Sequence, residues 1–336
     1  MIKEVRTNNL FKYATSELSQ DAFICWLFSH LMEENWNKDT ELRNCGQEFL
    51  KMILGSKGIV WDESMKITDI KKQENSIDVL LIINDWNIII EDKTFTNSHN
   101  DQVVRYKDVL IKKGIKDENI FCVFYKIIEQ SYDEEHVDIE FTREMILSIL
   151  RKYQDKISNP IFQDYLETLE VLDEYVNSYG MLPISEWSGY SYTGFFKHLQ
   201  KSILAGRSTG WGYVANPTGG FMGFWWFDVL NQEQFKKLGL IDGNKGNLYI
   251  QIENNIITIK LSIENIKTCD KDYIYKLRWD IFKKIKKIDN QFDKKNFRFG
   301  SAMTIGYINY DESNYEEKLF HMEDVLLKYV EEFKLD

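Results

Sequence analysis

The sequence predicts an α/β protein with two domains, and three observations support that prediction. The chain has 336 residues, which is more than one compact core usually organises. Its first half alternates helical patterns with short runs of Ile, Leu and Val, as in helices packed on a sheet. Its second half carries aromatic and Ile-rich strand patterns between longer helices. We therefore expect one domain over residues 1–180 and an α+β domain over residues 181–336.

A β-hairpin is the clearest element of the first half. Two apolar runs, over about 76–83 and 86–94, flank Asn84 and Asp85, and these residue types tolerate the positive φ of tight turns. The other expected elements are helices over about 16–34 (capped by Thr15 or Ser16), 98–113, 141–153 and 159–180, a helix ending at Gly55 or Gly58, a first strand from Val60 and Trp61, and a strand over about 119–127.

The second half is expected to mix strands and helices more irregularly. Strands are predicted within 220–230, 247–254, 255–264 and 297–310, and helices within 192–204, 272–288 and 315–333. The glycine-rich stretch before residue 220 is interpreted as a turn. Trp225 and Trp226 must face opposite sides of their strand, so one is expected in the core and the other is a candidate surface for base stacking.

Composition excludes some classes of function. The formal net charge is −11, which excludes a protein that coats nucleic acid by charge alone but leaves room for a local basic patch. No apolar run approaches the roughly 18–20 residues of a membrane span, and no secretory signal is evident. The four cysteines form no zinc pattern and are expected to be reduced. We therefore expect a cytoplasmic protein without membrane contacts.

The predicted hairpin brings two acidic residues together. Counting outward from the turn at 84–85, Asp78 pairs with Glu91, with Cβ atoms about 4.5–5.5 Å apart. Two carboxylates this close repel each other, and burial among Ile, Leu and Val raises the cost. A divalent cation between them removes the conflict, and Mg²⁺ prefers carboxylate oxygens. The spacing therefore predicts a metal site at this end of the hairpin.

The next residues of the second strand fit that site. Lys93 projects from the same sheet face as Glu91, whereas the Asp92 side chain points the other way and leaves only its backbone carbonyl for a metal. The alternative is a salt bridge at the sheet edge, facing water, between Lys93 and Asp78 or Glu91. The apolar flanks of both strands favour a buried site over this alternative.

Other residues extend the pattern. Glu17 adds a third carboxylate from an early, mostly apolar helix, and Gln102 shares a helix face with Tyr106 four residues later. Taken together, Glu17, Asp78, the run 91–93 and Gln102 resemble the signature of the PD-(D/E)XK nuclease superfamily.

The resemblance covers about residues 10–150 and extends at most to the end of the following helix, at residue 178. It is closest to a bacterial branch whose first helix is similar to SELSQDAFICWLF and whose lysine strand leads into a Gln-x-x-x-Tyr helix, here HNDQVVRYKDVL. Ile77 stands where the name of the motif has proline, a departure that many members share.

The resemblance implies a fold, a chemistry and a set of roles. The fold is a restriction-endonuclease-like mixed β-sheet flanked by helices, with the hairpin at its centre. The cofactor is Mg²⁺, which Mn²⁺ can replace, and the activity is phosphodiester hydrolysis in DNA, consistent with defence against foreign DNA. The implied roles are metal binding by Asp78, Glu91 and the Asp92 carbonyl with help from Glu17, positioning and activation of water by Lys93, and site support or substrate contact by Gln102 with Tyr106.

The second half contains the clearest basic cluster. Its members are Lys283, Lys284, Lys286, Lys287, Lys294, Lys295 and Arg298. A solvated helix end is one interpretation, and a contact to the nucleic-acid backbone is the other, with Lys283, Lys284 and Lys287 as the candidate contacts.

Three functional hypotheses follow. The first is a Mg²⁺-dependent DNA endonuclease whose second domain binds substrate or regulates cleavage. The second is a nuclease-like fold that binds or senses nucleic acid or a partner protein without cutting. The third is a nuclease acting on RNA, because such a site handles phosphate and does not choose the sugar. His99, near the start of the predicted 98–113 helix, is a further candidate for substrate contact.

Overall fold

The computed structural model describes residues 3–93, 102–132, 136–216, 219–230, 246–294 and 298–332. The chain divides into two compact units, Met1–Tyr175 and Val176–Asp336. Within the described ranges, no helix combines the length and apolar content that crossing a membrane requires. All four cysteines are free thiols.

The first unit is a mixed five-stranded sheet with helices on both faces. Its strands are β1 Ile67–Glu74, β2 Ile77–Ile83, β3 Trp86–Lys93, β4 Ile120–Lys126 and β5 Ile139–Thr142. They lie side by side in that order, antiparallel from β1 to β3 and parallel from β3 to β5. Its helices are α1 Glu17–Ser29, α2 Thr40–Gly55, α3 Gln102–Lys112, α4 Arg143–Leu150 and α5 Pro160–Asn177.

The hairpin of β2 and β3 has the predicted register. Ile83 pairs with Trp86 and Val79 with Ile90, and Asn84 adopts a φ of +52° in the turn. Asparagine is one of the few residue types other than glycine that adopts this left-handed conformation readily. The turn therefore fixes which side chains of the two strands face each other.

The two faces of this sheet have separate cores. On one face, Val79, Leu81 and Ile88 pack with α1, α2, α4 and α5 in a large apolar cluster. On the other face, Leu80 and Ile89 pack against α3. Because side chains alternate along a strand, consecutive residues at the end of β3 also face opposite cores.

The second unit is built on an antiparallel sheet. Its strands are β6 Thr209–Val214, β7 Phe221–Trp226, β8 Gly246–Glu253, β9 Ile256–Ile263 and β10 Ala302–Asn309, arranged from β10 to β6. Helices α6 Gly189–His198, α7 Lys271–Ile288 and α8 Tyr315–Glu332 contribute to its apolar core. Trp226 is completely buried in that core, and Trp225 is half-buried on the other face, as alternation predicts.

Several local predictions are wrong. The first strand begins at Ile67, and Val60 is 83 % exposed outside any strand, because strand propensity alone does not create a pairing partner. The first helix ends at Ser29, where Asn35 Nδ2 donates to the Ser29 carbonyl at 2.9 Å. Ser16 occupies its N-cap position but makes no capping hydrogen bond.

Two strands were not predicted, and part of one predicted helix is not described. The strand β5 has only four residues, and β6 is rich in glycine, which weakens the pattern of a strand. The helix predicted from about 98 begins, in the described part, at Gln102. His99 and Lys295 lie outside the described residues.

Candidate active site at the end of the hairpin

The β2–β3 register places Asp78 beside the last residues of β3. Val79 pairs with Ile90, so the next position of each strand brings Asp78 toward Glu91. Asp78 Oδ2 accepts a hydrogen bond from the backbone N–H of Asp92 at 3.0 Å. This bond joins the Asp78 side chain on β2 to the backbone of β3. The turn and the hydrogen bonds between the two strands therefore hold Asp78 close to Glu91.

Glu91 is buried without adequate hydrogen bonding. Its side chain is 0 % exposed, and its Oε1 lies 2.6 Å from Nζ of Lys93. That approach is an ion pair outside hydrogen-bond geometry, so neither Glu91 oxygen accepts a hydrogen bond from the described residues. Burial and the nearby charge of Asp78 together raise the pKa of Glu91 to about 8, against the effect of Lys93.

Lys93 is a protonated ammonium in this arrangement. It is 8 % exposed. Burial lowers the pKa of Lys93, but the attraction of the adjacent Glu91 carboxylate outweighs it, so the pKa is raised above its ordinary value. In this arrangement Lys93 is therefore a cation and a hydrogen-bond donor.

Asp92 faces the opposite side of the sheet, as alternation predicts. It is completely buried, and Gln20 of α1 donates a hydrogen bond to its Oδ1. Its Oδ2 accepts none from the described residues. Burial raises the pKa of Asp92 well above its usual range, and the charge of Asp21 adds to this.

Asp21 is a second buried acid on that side. It is 1 % exposed, and its Oδ1 also lacks a hydrogen-bond donor among the described residues. Burial raises the pKa of Asp21 to about 6, with a further contribution from the charge of Asp78. The region therefore holds buried acids on both sides of the β3 backbone, and the charge of Asp78 raises the pKa of the acids on each side.

Gln73 links Asp78 to Asp21. Its Nε2 donates to Asp78 Oδ1 at 3.0 Å and to Asp21 Oδ2 at 3.1 Å. Gln73 adopts a φ of +56°, which a residue with a side chain rarely does. Backbone strain of this kind is tolerated where the surrounding structure over-determines it. Gln73 therefore helps to fix the orientation of Asp78.

Sequence reasoning missed Gln20, Asp21 and Gln73. Asp21 lies one helical turn after Glu17, which is the only signal that could have drawn attention to it. Gln73 lies in β1, which begins at Ile67 and not near Val60 as predicted, so the sequence contained no signal for it.

The remaining predicted residues of the first unit lie near this cluster. Gln102 Nε2 donates to Tyr106 Oη at 2.6 Å, which confirms that they share a face of α3. Burial raises the pKa of Tyr106, and Glu91 and Asp78 contribute to the rise against the hydrogen bond from Gln102. The charge of Glu17 raises the pKa of both Asp21 and Asp92 and supports the ammonium of Lys93.

The carboxylates of Asp78 and Glu91 are compatible with Mg²⁺ or Mn²⁺ if water and substrate phosphate supply the remaining ligands. No group of three or more His, Cys, Asp or Glu side chains in the described part of the chain is arranged to hold a metal ion. Mg²⁺, however, is commonly held by one or two carboxylates together with water and substrate phosphate. Asp78 and Glu91 provide two carboxylates, and the unsatisfied Glu91 oxygens are the observation that fits a cation.

The basic residues of the second unit lie on and just after α7. Lys283 and Lys287 are exposed, while Lys284 pairs with Asp280 at 2.7 Å. Lys294 Nζ lies 4.3 Å from the ring centroid of Trp279. The structure therefore shows that this cluster includes an aromatic residue, which the sequence prediction left out.

Comparisons with protein-family models, with curated proteins and with solved structures give no match.

Proposed function

We propose that this chain is a metal-dependent nuclease of the PD-(D/E)XK type that hydrolyses phosphodiester bonds, with DNA as its substrate and endonucleolytic cleavage as its activity. The observation that carries the proposal is Glu91. Its carboxylate is completely buried beside a second acid, Asp78, and neither of its oxygens is hydrogen-bonded by the described residues. A protein that needed only a stable hairpin would gain by an apolar residue at this position.

The ion pair alone does not account for this arrangement. Lys93 supplies one positive charge, whereas Asp78 and Glu91 supply two negative charges when both are ionised. A divalent cation held by Asp78 and Glu91 would neutralise the excess, polarise a phosphate oxygen and lower the pKa of a bound water.

The roles of the side chains follow from their positions. The Lys93 ammonium orients the attacking water and donates to a phosphate oxygen, because it is charged and lies against Glu91. Gln73 and the Asp92 N–H hold the Asp78 carboxylate in one orientation. On the helix that covers this face of the sheet, Gln102 is half-buried and Tyr106 is buried, so we assign the substrate contact to Gln102 and its support to Tyr106.

The test is cleavage of plasmid DNA with Mg²⁺ or Mn²⁺. We expect Asp78→Asn, Glu91→Gln and Lys93→Met each to reduce the rate by about 10²- to 10⁴-fold, the usual effect of removing a group that acts in the transition state. Glu253→Gln, in the second unit, is the matched control, since it changes a buried glutamate that also pairs with a lysine. Unchanged cleavage in all three site variants would refute the assignment.

One observation favours a second candidate, a binding module with the same fold that does not cut. No described group of three acidic or imidazole side chains is arranged around a metal, and Lys93 already pairs with Glu91. Nucleic-acid binding by a chain that takes up neither Mg²⁺ nor Mn²⁺ would establish this alternative. RNA in place of plasmid DNA tests the third hypothesis in the same assay.

A further inference from the structure

The outward face of α7 combines aromatic and basic side chains. The helix packs on the core of the second unit through Ile274, Ile281 and Ile285, each at most 1 % exposed. Tyr275 and Trp279 follow at an interval of four residues on the side turned away from that core, and Tyr275 is 51 % exposed.

Lysines continue the same ridge. Lys283 and Lys287 occupy the next two positions at the interval of four, so the ridge from Tyr275 extends about 18 Å. We call the residues Tyr275, Trp279, Lys283, Lys287 and Lys294 the aromatic–lysine face.

Contacts within this face join its rings to its cations. The ring centroids of Tyr275 and Trp279 are 6.5 Å apart, and a shallow depression is lined by both rings together with Lys276, Asp280 and Lys283. Lys283 Nζ lies 5.8 Å from the Trp279 centroid, and Lys294 Nζ lies 4.3 Å from it. Cations at these distances are attracted to the face of an aromatic ring, so both lysines lie over the Trp279 ring.

The charge of α7 is opposite to that of the chain. The helix Lys271–Ile288 contains six lysines and one arginine against two aspartates, whereas the whole chain has a net charge of −11. One of those aspartates, Asp280, is paired with Lys284 at 2.7 Å. The face is thus complementary to a polyanion.

We propose that the aromatic–lysine face binds single-stranded nucleic acid, with unpaired bases stacking on Tyr275 and Trp279 and phosphates paired with the lysines. The choice of nucleic acid over another polyanion rests on the proposed nuclease function. Lysines alone suffice for contacts to the backbone of a duplex. Accessible aromatic rings beside them, the exposed Tyr275 and the half-buried Trp279, serve unpaired bases, because each base presents a flat face for stacking.

The test is fluorescence anisotropy with a labelled single-stranded DNA of about 15 nucleotides, a length within the usual site sizes of such proteins, and with the same sequence as a duplex. The full chain is used in EDTA, so no cleavage occurs. We expect the single strand to bind at least about tenfold more tightly than the duplex. Trp279→Ala or Tyr275→Ala should weaken single-strand binding about tenfold, the effect of losing one stacked base.

Two matched variants separate stacking from loss of structure. Trp279→Phe keeps a ring on the same ridge and should restore most of the affinity. Tyr273→Ala removes a comparably exposed ring, 49 % exposed, from a different side of α7 and should leave binding unchanged. Single-strand binding that is unaffected by Trp279→Ala and Tyr275→Ala would overturn the proposal.

Two further results would also overturn it. One is equal binding of single strand and duplex with equal losses in every variant, which indicates phosphate contacts only. The other is binding of an oligoglutamate peptide but of neither DNA, which indicates an acidic protein partner. Failure of this proposal is distinguishable from failure of the proposed function. A chain that cuts DNA without preferring single strands refutes only the role of the aromatic–lysine face. A chain that binds single strands through this face without cutting DNA refutes only the nuclease function.

Discussion

Each unit of this protein contains a hairpin with a buried Glu–Lys pair, and the two pairs are satisfied very differently. In the second unit, Lys260 lies 2.8 Å from Glu253 and also donates to Thr304 at 3.0 Å, and Gln251 donates to the same Glu253 oxygen at 2.9 Å. In the first unit, Glu91 and Lys93 approach to 2.6 Å, yet neither Glu91 oxygen accepts a hydrogen bond from the described residues.

The turns do not account for the difference. Both hairpins reverse at an asparagine in the left-handed region, Asn84 with a φ of +52° and Asn254 with a φ of +48°. The difference lies in the neighbours. Glu253 accepts hydrogen bonds from an amide and an ammonium group, whereas Glu91 lies near a second acid, Asp78. A saturated pair stabilises the fold. An unsaturated pair beside another acid fits the cation site that we propose.

The largest expected effect is on stability, and it separates the two pairs. We predict that Lys260→Met destabilises β8 and β9 by about 3–5 kcal/mol, because Glu253 loses its cation and Thr304 loses a donor. Lys93→Met should cost about 1 kcal/mol or less at neutral pH, because Glu91, whose pKa is about 8, is already mostly protonated there and leaves no unpaired charge when Lys93 is replaced. Hydrogen exchange of the two hairpins measures both, and equal costs would contradict the comparison.

The next effect is a pH dependence that arises from Glu91. Its pKa is about 8 in the folded chain and near 4.5 when unfolded, so the folded state binds more protons between these values. Stability should therefore fall as pH rises from about 5 to 8, with Glu91 contributing up to about 1.4 kcal/mol per pH unit. Lys93, whose pKa is raised above 10.5, contributes no change in this window.

Urea unfolding in EDTA at several pH values checks this slope. The Glu91→Gln variant should show a smaller decrease than the wild type, while Asp21 and Asp92 keep their contributions in both proteins. Identical slopes in the two proteins would mean that the pKa of Glu91 is not raised in the folded chain.

A smaller effect is expected from replacing the glutamine that donates a hydrogen bond to an acid in each hairpin region. Gln73 orients Asp78, and Gln251 donates to Glu253. We expect Gln73→Ala to lower cleavage about 10- to 100-fold, as substitutions that release a metal ligand commonly do. Gln251→Ala should lower stability by about 1–3 kcal/mol and leave the cleavage rate of the folded protein unchanged. Equal reductions of the cleavage rate by the two substitutions would contradict this distinction between a glutamine that orients the site and one that only stabilises the fold.

The smallest effect is expected at α3. Tyr106→Phe removes the hydroxyl that accepts from Gln102, a hydrogen bond worth about 1 kcal/mol. Cleavage kinetics should show a rise in KM of a few fold with little change in kcat if this pair contacts substrate. A change in thermal stability without any change in KM would assign the pair a structural role only.

The parts of the site that sequence could predict are those set by simple periodicity. Two turn residues determine the register of the β2–β3 hairpin, and strand alternation then separates Glu91 and Lys93 from Asp92. The spacing of Gln102 and Tyr106 on a helix is equally local.

The parts that sequence could not predict depend on tertiary pairing. The strand β1 is rich in charged residues and has no clear alternation, so Gln73 could not be assigned to the site. The helix α1 buries the polar residues Gln20 and Asp21 on the side that faces the core, while the apolar residue Leu18 is 53 % exposed. Its apolar residues therefore give no stripe from which these inward-facing polar residues can be identified.

The claim that Asp78 and Glu91 hold a divalent cation is tested directly by a calorimetric titration of the full chain with Mn²⁺ at about pH 7. Mn²⁺ is expected to bind to Asp78 and Glu91 with release of a proton, because the raised pKa of Glu91 keeps it protonated until a cation binds. Glu91→Gln should abolish both the binding and the proton release, while Glu253→Gln should retain them. A wild-type chain that takes up no Mn²⁺, or a Glu91→Gln variant that binds it with unchanged affinity, would contradict the claim.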